Sequence, residues 1–262
     1  MTSTLATASP IPVQLELFKR QLVLPAYNEE ENLPQLFESL ADLVSSGFLH
    51  SIVIVDDGSR DRTAELAEQY ADTLPIQLIR HGRNRGLAAA IRTGLAYAAK
   101  HGEPNGIVFT MDSDNTQPIG LMPRMSQLVS EGNDVVIASR YRSGARVVGL
   151  SPFRHLTSIG AGLMFKTILP IPGVRDYTCG YRAYRCETLR DALDFYGSDF
   201  VSETGFTCMV DILLKLHGRG AIFGEAPMIL RYDQKRGASK MPVFKTIMQT
   251  FRLAFRRRLG LR

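Results

Sequence analysis

The feature that most constrains this chain is an alternation of two periodicities from the first strand-like run to about Arg140. Short β-rich apolar runs at Gln21–Leu24, Ile52–Val55, Ile76–Ile79, Ile107–Met111 and Val135–Ala138 are separated by stretches of helical spacing. Apolar runs without polar alternation suit strands covered on both faces, the situation of a parallel sheet flanked by helices. Between the first two runs Leu33, Leu36, Phe37, Leu40, Leu43 and Val44 recur at helical spacing, with Asn28 and Glu31 expected to cap that helix. Ser59 and Asp61 are expected to open a second helix with Ala64, Leu66, Ala67 and Tyr70 on its apolar face. A third follows a turn at Gly86 and carries Leu87, Ala90, Ile91, Gly94 and Leu95. The pattern predicts an α/β domain on a Rossmann-like, mixed and mostly parallel sheet. After Arg140 the rhythm gives way to basic and glycine-rich loops between apolar helices, with one more strand-like stretch at Ala221–Leu230.

A chain of 262 residues suffices for one such domain with a full core. Residues 1–20 are expected to form a flexible N-terminal tail: Met1–Pro12 is polar and proline-broken, with no basic or apolar region of a signal peptide. No run of about 18 apolar residues is present, so no membrane-spanning helix is expected. Cys179, Cys186 and Cys208 have neither metal-site spacing nor an even count, which suits reduced thiols in a cytoplasm.

The chemistry-bearing residues follow the strand-like runs. The first run leads into Pro25-Ala26-Tyr27-Asn28-Glu29, the second into Asp56-Asp57-Gly58-Ser59, and the fourth into Asp112-Ser113-Asp114. In open α/β sheets the ligand crevice lies outside the carboxyl ends of the strands. Asp56-Asp57 alone equally suits an ordinary turn and helix cap, but three acidic clusters on one edge call for cations or hydrogen-bond donors among them. Asp112 and Asp114, two positions apart in an extended segment, point the same way and form a hard-oxygen pair suited to Mg²⁺ or Mn²⁺. Neither G-x-G-x-x-G after the first run nor G-x-x-x-x-G-K-[ST] anywhere is present, against a dinucleotide oxidoreductase or P-loop NTPase. The H-x-E and C-x-x-C pattern of zinc deaminases is also missing.

The ordered set Leu24-Pro25-Ala26-Tyr27-Asn28-Glu29, Val55-Asp56-Asp57-Gly58-Ser59, Asn84-Arg85-Gly86 and Asp112-Ser113-Asp114 resembles family 2 glycosyltransferases over roughly residues 21–145. The resemblance implies a GT-A fold, an inverting mechanism and a nucleoside-diphosphate sugar donor, GDP- or UDP-linked. It implies that Pro25, Tyr27, Glu29 and Asp57 hold base and ribose, that Asp112, Ser113 and Asp114 contact the nucleotide sugar, and that Asp112 and Asp114 carry Mg²⁺ or Mn²⁺. On this reading residues 21–140 form a nucleotide-sugar half and 141–240 an acceptor half.

Further along, Ala138-Ser139-Arg140-Tyr141, Arg154 with Ser158, Thr178-Cys179-Gly180-Tyr181-Arg182-Ala183-Tyr184 and Gly237-Ala238-Ser239-Lys240-Met241 resemble polyprenol-phosphate mannosyltransferases. That resemblance implies a polyprenyl phosphate acceptor held by Arg154 and Ser158, with Arg140 in catalysis and acceptor binding, and a loop placing Lys240 over both substrates. Arg154 and Ser158, at i and i+4, would share a helix face and offer a phosphate a cation and a hydroxyl; the same spacing also suits an ordinary helix entry. Two positions depart from the family: Gln234 stands where an Arg is common three residues before the loop glycine. Thr116 replaces a Gln two residues after the second Asp, with Gln117 one further on.

A hydroxyl acceptor requires a general base, whereas a lipid phosphate is already anionic and needs positioning and charge compensation. The second half is rich in Arg and holds Glu203 as its main candidate base. A polyprenyl-phosphate sugar synthase on the cytoplasmic face of the membrane is therefore expected. A transferase to a hydroxyl, with Glu203 as base, and a non-catalytic nucleotide-sugar binder are the alternatives. No nucleic-acid partner is expected. The segment 241–262 places Phe244, Ile247, Met248, Phe251, Phe255 and Leu259 at helical spacing with Lys245, Arg252, Arg256 and Arg257 largely between them. It reads either as a basic amphipathic helix in the bilayer interface or as one packed on its own domain.

Overall fold

A computed structural model describes residues 18–149, 167 and 170–234. The five expected strands form as β1 (Arg20–Ala26), β2 (Ser51–Asp56), β3 (Ile76–Arg80), β4 (Ile107–Thr110) and β5 (Val135–Ser139). They alternate with α1 (Leu33–Ser45), α2 (Thr63–Tyr70), α3 (Leu87–His101) and α4 (Met122–Ser130). β6 (Arg146–Val148) and β7 (Arg182–Arg185) follow, then α5 (Cys186–Tyr196), α6 (Thr207–Gly218), β8 (Phe223–Pro227) and β9 (Ile229–Arg231). The main sheet has the order β3-β2-β1-β4-β7-β5-β8; β7 runs antiparallel to both neighbours and the remaining pairs are parallel. The chain moves outward from β1 to β3 and then crosses back to β4 on the other side of β1. Strand order therefore reverses between β1 and β4, where a crevice opens at the carboxyl ends.

Burial explains the strand sequences. β2, β4 and β5 are apolar and buried almost throughout, while edge strand β3 is only half covered and alternates. Helix α3 lies close over β1 and β2 because Gly94 faces Val23 and Val55, where a Cβ would collide with the Val23 side chain.

Two local expectations are corrected, and one strand was not expected. Helix α1 begins at Leu33, after Asn32 and with Pro34 in its first turn, so Asn28 is not its cap. Asn28 sits at φ 53 and its Oδ1 accepts from Arg60 N–H at 2.9 Å. The stretch Ala221–Leu230 is two strands: after Pro227, which has no N–H to donate, the chain turns out of the main sheet and β9 pairs with β6. The interior strand β7 carries Arg at both ends and has no apolar signature. Its Arg182 is fully buried and donates to the carbonyls of Tyr177, Cys179 and Met209 at 2.8–2.9 Å. Among the described residues no helix is long and apolar enough to cross a membrane.

Candidate active site

Read along the carboxyl edge of the sheet, the site has three parts. The first lies beyond β2 and β1, where a cavity of about 530 Å³ is lined by Tyr27, Asp56, Ser59, Arg60, His81 and Arg83, among others. Its walls are stitched together by short hydrogen bonds. Asn28 N–H donates to Ser59 Oγ (2.9 Å), Glu29 N–H to Thr63 Oγ1 (2.8 Å), Ser59 N–H to Asp56 Oδ1 (3.1 Å) and Arg62 N–H to Glu30 (3.0 Å). Asp61 accepts from Thr63 N–H and hydroxyl at 3.0 and 2.6 Å just ahead of α2, whose N-cap position is Arg62.

Asp57 lies beneath the cavity rather than in it. Its Oδ1 accepts from His81 Nδ1 (2.6 Å) and Arg85 N–H (3.0 Å), and its Oδ2 from Gly86 N–H (2.7 Å). The other imidazole nitrogen meets Thr93 Oγ1 at 3.0 Å. Asp57 thus ties the Gly82–Gly86 loop and the start of α3 to β2. Gly58, at φ +71, lets that loop close down, since a Cβ there would strike the backbone of Arg83 and Asn84. The neighbouring Asp56, also buried, is one of the residues lining the cavity.

The second part follows β4. Ser113 is buried and its hydroxyl donates to Pro25 O at 2.9 Å, which joins the loop after β4 to the end of β1. Asp112 and Asp114 are half-buried on either side of it. Asp112 Oδ2 accepts from Gln117 Nε2 at 2.7 Å, and Asp114 Oδ1 from the Thr116 hydroxyl at 2.7 Å. Gly180 is the nearest wall, where a Cβ would stand 3.4 Å from Asp112 Oδ1.

The third part joins β5 to the loop before β7. Arg140 Nε and Nη2 form a two-pronged pair with Asp176 at 2.7 and 2.6 Å, and Nη2 also donates to Thr178 Oγ1 at 2.6 Å. Burial opposes ionisation of Asp176, but Arg140 and the N–H groups of Arg140 and Cys179 hold its carboxyl below the usual range. The Arg140 side chain remains 17% exposed. Glu225 Oε1 accepts from the N–H groups of Arg175 and Asp176 at 2.6 and 2.7 Å, while burial raises its own carboxyl. Cys179 sits between the second and third parts; burial pushes its thiol up to about 12, with Asp176 and Asp112 adding in the same direction. An un-ionised buried thiol is a packing group rather than a nucleophile.

Residues 21–193 match the model of the family described as glycosyl transferase family 2. The chain belongs to that family. Among its curated relatives are a dolichol-phosphate mannosyltransferase of Pyrococcus furiosus, 32% identical over 91% of this chain and 63% of its own length, and a polyprenol monophosphomannose synthase of Mycolicibacterium smegmatis, 29% identical over 84% and 80%. An undecaprenyl-phosphate mannosyltransferase of Micrococcus luteus is 30% identical over 84% and 86%. The chain spans 63% of the length of the archaeal relative. Glucosyl-3-phosphoglycerate synthase of Mycobacterium tuberculosis, solved with Mn²⁺, uridine diphosphate and glucosyl-3-phosphoglycerate, shares the fold with a TM-score of 0.68 at 19% identity, over 100% of this chain and 88% of that one. The same protein with Mg²⁺ and uridine diphosphate gives 0.66, over 95% and 83%. The fold is the GT-A fold expected from the sequence.

In this family 2 glycosyltransferase the fold brings Pro25, Tyr27, Asp112, Ser113 and Asp114 to one edge, with Arg140 beyond β7. Tyr27 lines the cavity; Pro25 meets the site through its carbonyl; the Glu29 carboxylate accepts from Asn32 Nδ2 at 2.7 Å. Asp57, expected on the nucleotide, accepts from His81 and from the loop before α3. Arg154, Ser158, Lys240 and the 241–262 segment lie outside the described residues. The sequence reading missed Asp56 as the cavity-lining member of its doublet, His81 as a second lining residue, and Asp176 as the partner of Arg140. Only the doublet was visible in sequence, and its spacing could not say which carboxylate faces out.

The acidic pair suits a divalent ion. Among the described residues no three or more His, Cys, Asp or Glu form a metal-holding group. Mg²⁺ and Mn²⁺ do not require one, because one or two carboxylates with substrate phosphates and water complete their shells. Two carboxylates two residues apart just after β4, each held by a donor from the same loop, meet that requirement.

Proposed function

We propose that this enzyme transfers a hexose, mannose by similarity to its relatives, from a nucleoside-diphosphate sugar to a polyprenyl phosphate with inversion. One observation carries the acceptor class: three relatives at 29–32% identity over 84–91% of this chain are all named as mannosyltransferases or synthases of polyprenyl-type phosphates. The geometry agrees with a soluble donor and an anionic acceptor. The nucleoside occupies the cavity at the ends of β1 and β2, with its base beside Tyr27 and Asp56 and its ribose toward the loop after β1. Asp56 accepts an N–H of the base, and Arg60 and Arg83 answer its carbonyl oxygens or the diphosphate. The diphosphate lies toward Asp112 and Asp114, which would hold Mg²⁺ or Mn²⁺; a cation there would supply positive charge against that of the departing diphosphate.

An oxygen of the acceptor phosphate attacks the anomeric carbon as the bond to the diphosphate oxygen breaks. A phosphate nucleophile brings its own negative charge, so no side chain has to remove a proton. Arg140, held by Asp176 at a fixed angle, with Arg154 and Ser158, orients and compensates that phosphate. Lys240 closes over both substrates. The enzyme works at the cytoplasmic face, attached through the basic amphipathic segment 241–262.

The test is a panel of radiolabelled GDP- and UDP-sugars incubated with enzyme, Mn²⁺ and either polyprenyl phosphate or the parent polyprenol. Label entering the organic phase only with the phosphate supports the reading, and the active donor identifies base and sugar. Equal transfer to the free alcohol, or none to either lipid, refutes it.

A further inference from the structure

Similarity to polyprenol-phosphate mannosyltransferases places a Gln two residues after the second Asp. Here Thr116 stands there and Gln117 follows. Gln117 is nearly buried and spends both ends of its amide on one residue. Its Oε1 accepts the backbone N–H of Asp112 at 3.0 Å, and its Nε2 donates to Asp112 Oδ2 at 2.7 Å. Only one amide orientation satisfies both contacts, because the N–H needs an acceptor and the carboxylate a donor. The resulting ring locks the Asp112 side chain relative to its own backbone. It directs the opposite oxygen, Oδ1, to the side of Gly180. Thr116 acts likewise one residue over, its N–H (3.2 Å) and hydroxyl (2.7 Å) both donating to Asp114 Oδ1.

The loop has anchors besides the Gln117 contact to the Asp112 backbone. Ser113 is anchored to Pro25 O (2.9 Å), and Asn115, at φ 61, to Asn32 O (2.9 Å). Thr116 O accepts from Arg231 N–H (2.8 Å) and Pro118 O from the Tyr181 hydroxyl (3.1 Å). What remains for Gln117 is the direction of the Asp112 carboxylate. The residue type fits that task. Two carboxylates on one face repel and rotate apart unless each is held. An amide holds one without cancelling its charge, whereas Lys or Arg there would repel an incoming cation.

We infer that Gln117 is a positioning residue of the cation site, fixing Asp112 so that it and Asp114 converge on one divalent ion. The inference rests on the metal-dependent reading above. Donors that orient metal-binding carboxylates typically contribute 10–100-fold to metal affinity.

The experiment uses the full chain and the variants Gln117→Ala and Gln117→Met, the second retaining side-chain volume. Mn²⁺ affinity is read without turnover from the paramagnetic resonance signal of free Mn²⁺, with nucleoside diphosphate present. Nucleotide affinity in chelator and melting temperature are measured on the same samples. The expected result is a loss of about 10–100-fold in Mn²⁺ affinity, with metal-free nucleotide binding retained. Turnover should recover partly as Mn²⁺ is raised. Should Gln117→Ala melt early, Gln117→Met carries the comparison. Unchanged Mn²⁺ affinity in a variant that still binds nucleotide overturns the inference, as does parallel loss of metal-free nucleotide binding in both variants. Absence of Mn²⁺ binding by the unaltered enzyme would instead overturn the metal-dependent reading itself.

Discussion

Asp56 and Asp57 are adjacent, chemically identical and both buried, yet they should fail in opposite ways when each is changed to Asn. Asp57 serves three donors, with Oδ1 facing His81 Nδ1 and Arg85 N–H and Oδ2 facing Gly86 N–H. An amide can accept on one side only. With its oxygen at the Oδ1 position, its NH₂ is turned against Gly86 N–H, and the two contacts that remain lose a charged acceptor. An unsatisfied buried donor costs about 1–3 kcal/mol, so a total near 2–4 kcal/mol is expected. For a domain of this size that lowers the melting temperature by roughly 5–15 °C. Asp56 accepts one backbone bond, from Ser59 N–H, which an Asn oxygen can keep. Asp56→Asn should therefore cost less than about 1 kcal/mol of stability but lose the charged acceptor facing the cavity, worth about 10–150-fold in nucleotide affinity. Differential scanning fluorimetry and calorimetric titration with GDP and UDP read the two quantities separately. Nucleotide binding abolished in Asp57→Asn at unchanged melting temperature, with Asp56→Asn binding normally, would refute the assignment.

Asp114→Asn, whose amide oxygen can keep the contacts from Thr116, should strongly reduce turnover at unchanged melting temperature, and chelator should reproduce the loss in the unaltered enzyme with recovery on adding Mn²⁺; full activity in chelator would remove the cation from the mechanism. Asp176 has a carboxyl depressed below the ordinary 3.8, so its pairing with Arg140 stabilises fully above that pH and is lost as pH falls through the lower folded value. Asp176→Asn should melt lower than the unaltered enzyme at neutral pH, with the gap narrowing below pH 4 in acid-denaturation curves. Arg154→Ala should weaken the dependence on polyprenyl phosphate while leaving nucleotide-sugar binding intact, as separate titrations of the two substrates would report. Removing residues 251–262 should reduce sedimentation with anionic liposomes and activity on long-chain acceptor while sparing a short soluble analogue. Equal loss on both acceptors with a lower melting temperature would assign the segment to the domain core.

Much of the architecture was legible without coordinates. Parallel strands covered on both faces must be written as unbroken apolar runs, so β1 to β5 announce themselves through Leu22–Leu24, Ile52–Val55 and their counterparts. The intervening helices show equally plainly in their 3.6-residue spacing. The placement of acidic residues at the strand ends was legible as well, because Asp56 closes β2 and Asp112 and Asp114 follow β4 directly. Strand β7 was not legible: Arg182 is tolerated in the interior only because three backbone carbonyls from Tyr177, Cys179 and Met209 converge on it. The division of labour between Asp56 and Asp57 belongs to the same class, since it depends on His81 and Gly86 arriving from elsewhere in the chain. So does the commitment of Arg140 to Asp176, 36 residues away. Local sequence governs period, face and residue type. Which of two like side chains meets a ligand is decided by the donors that tertiary packing brings beside it.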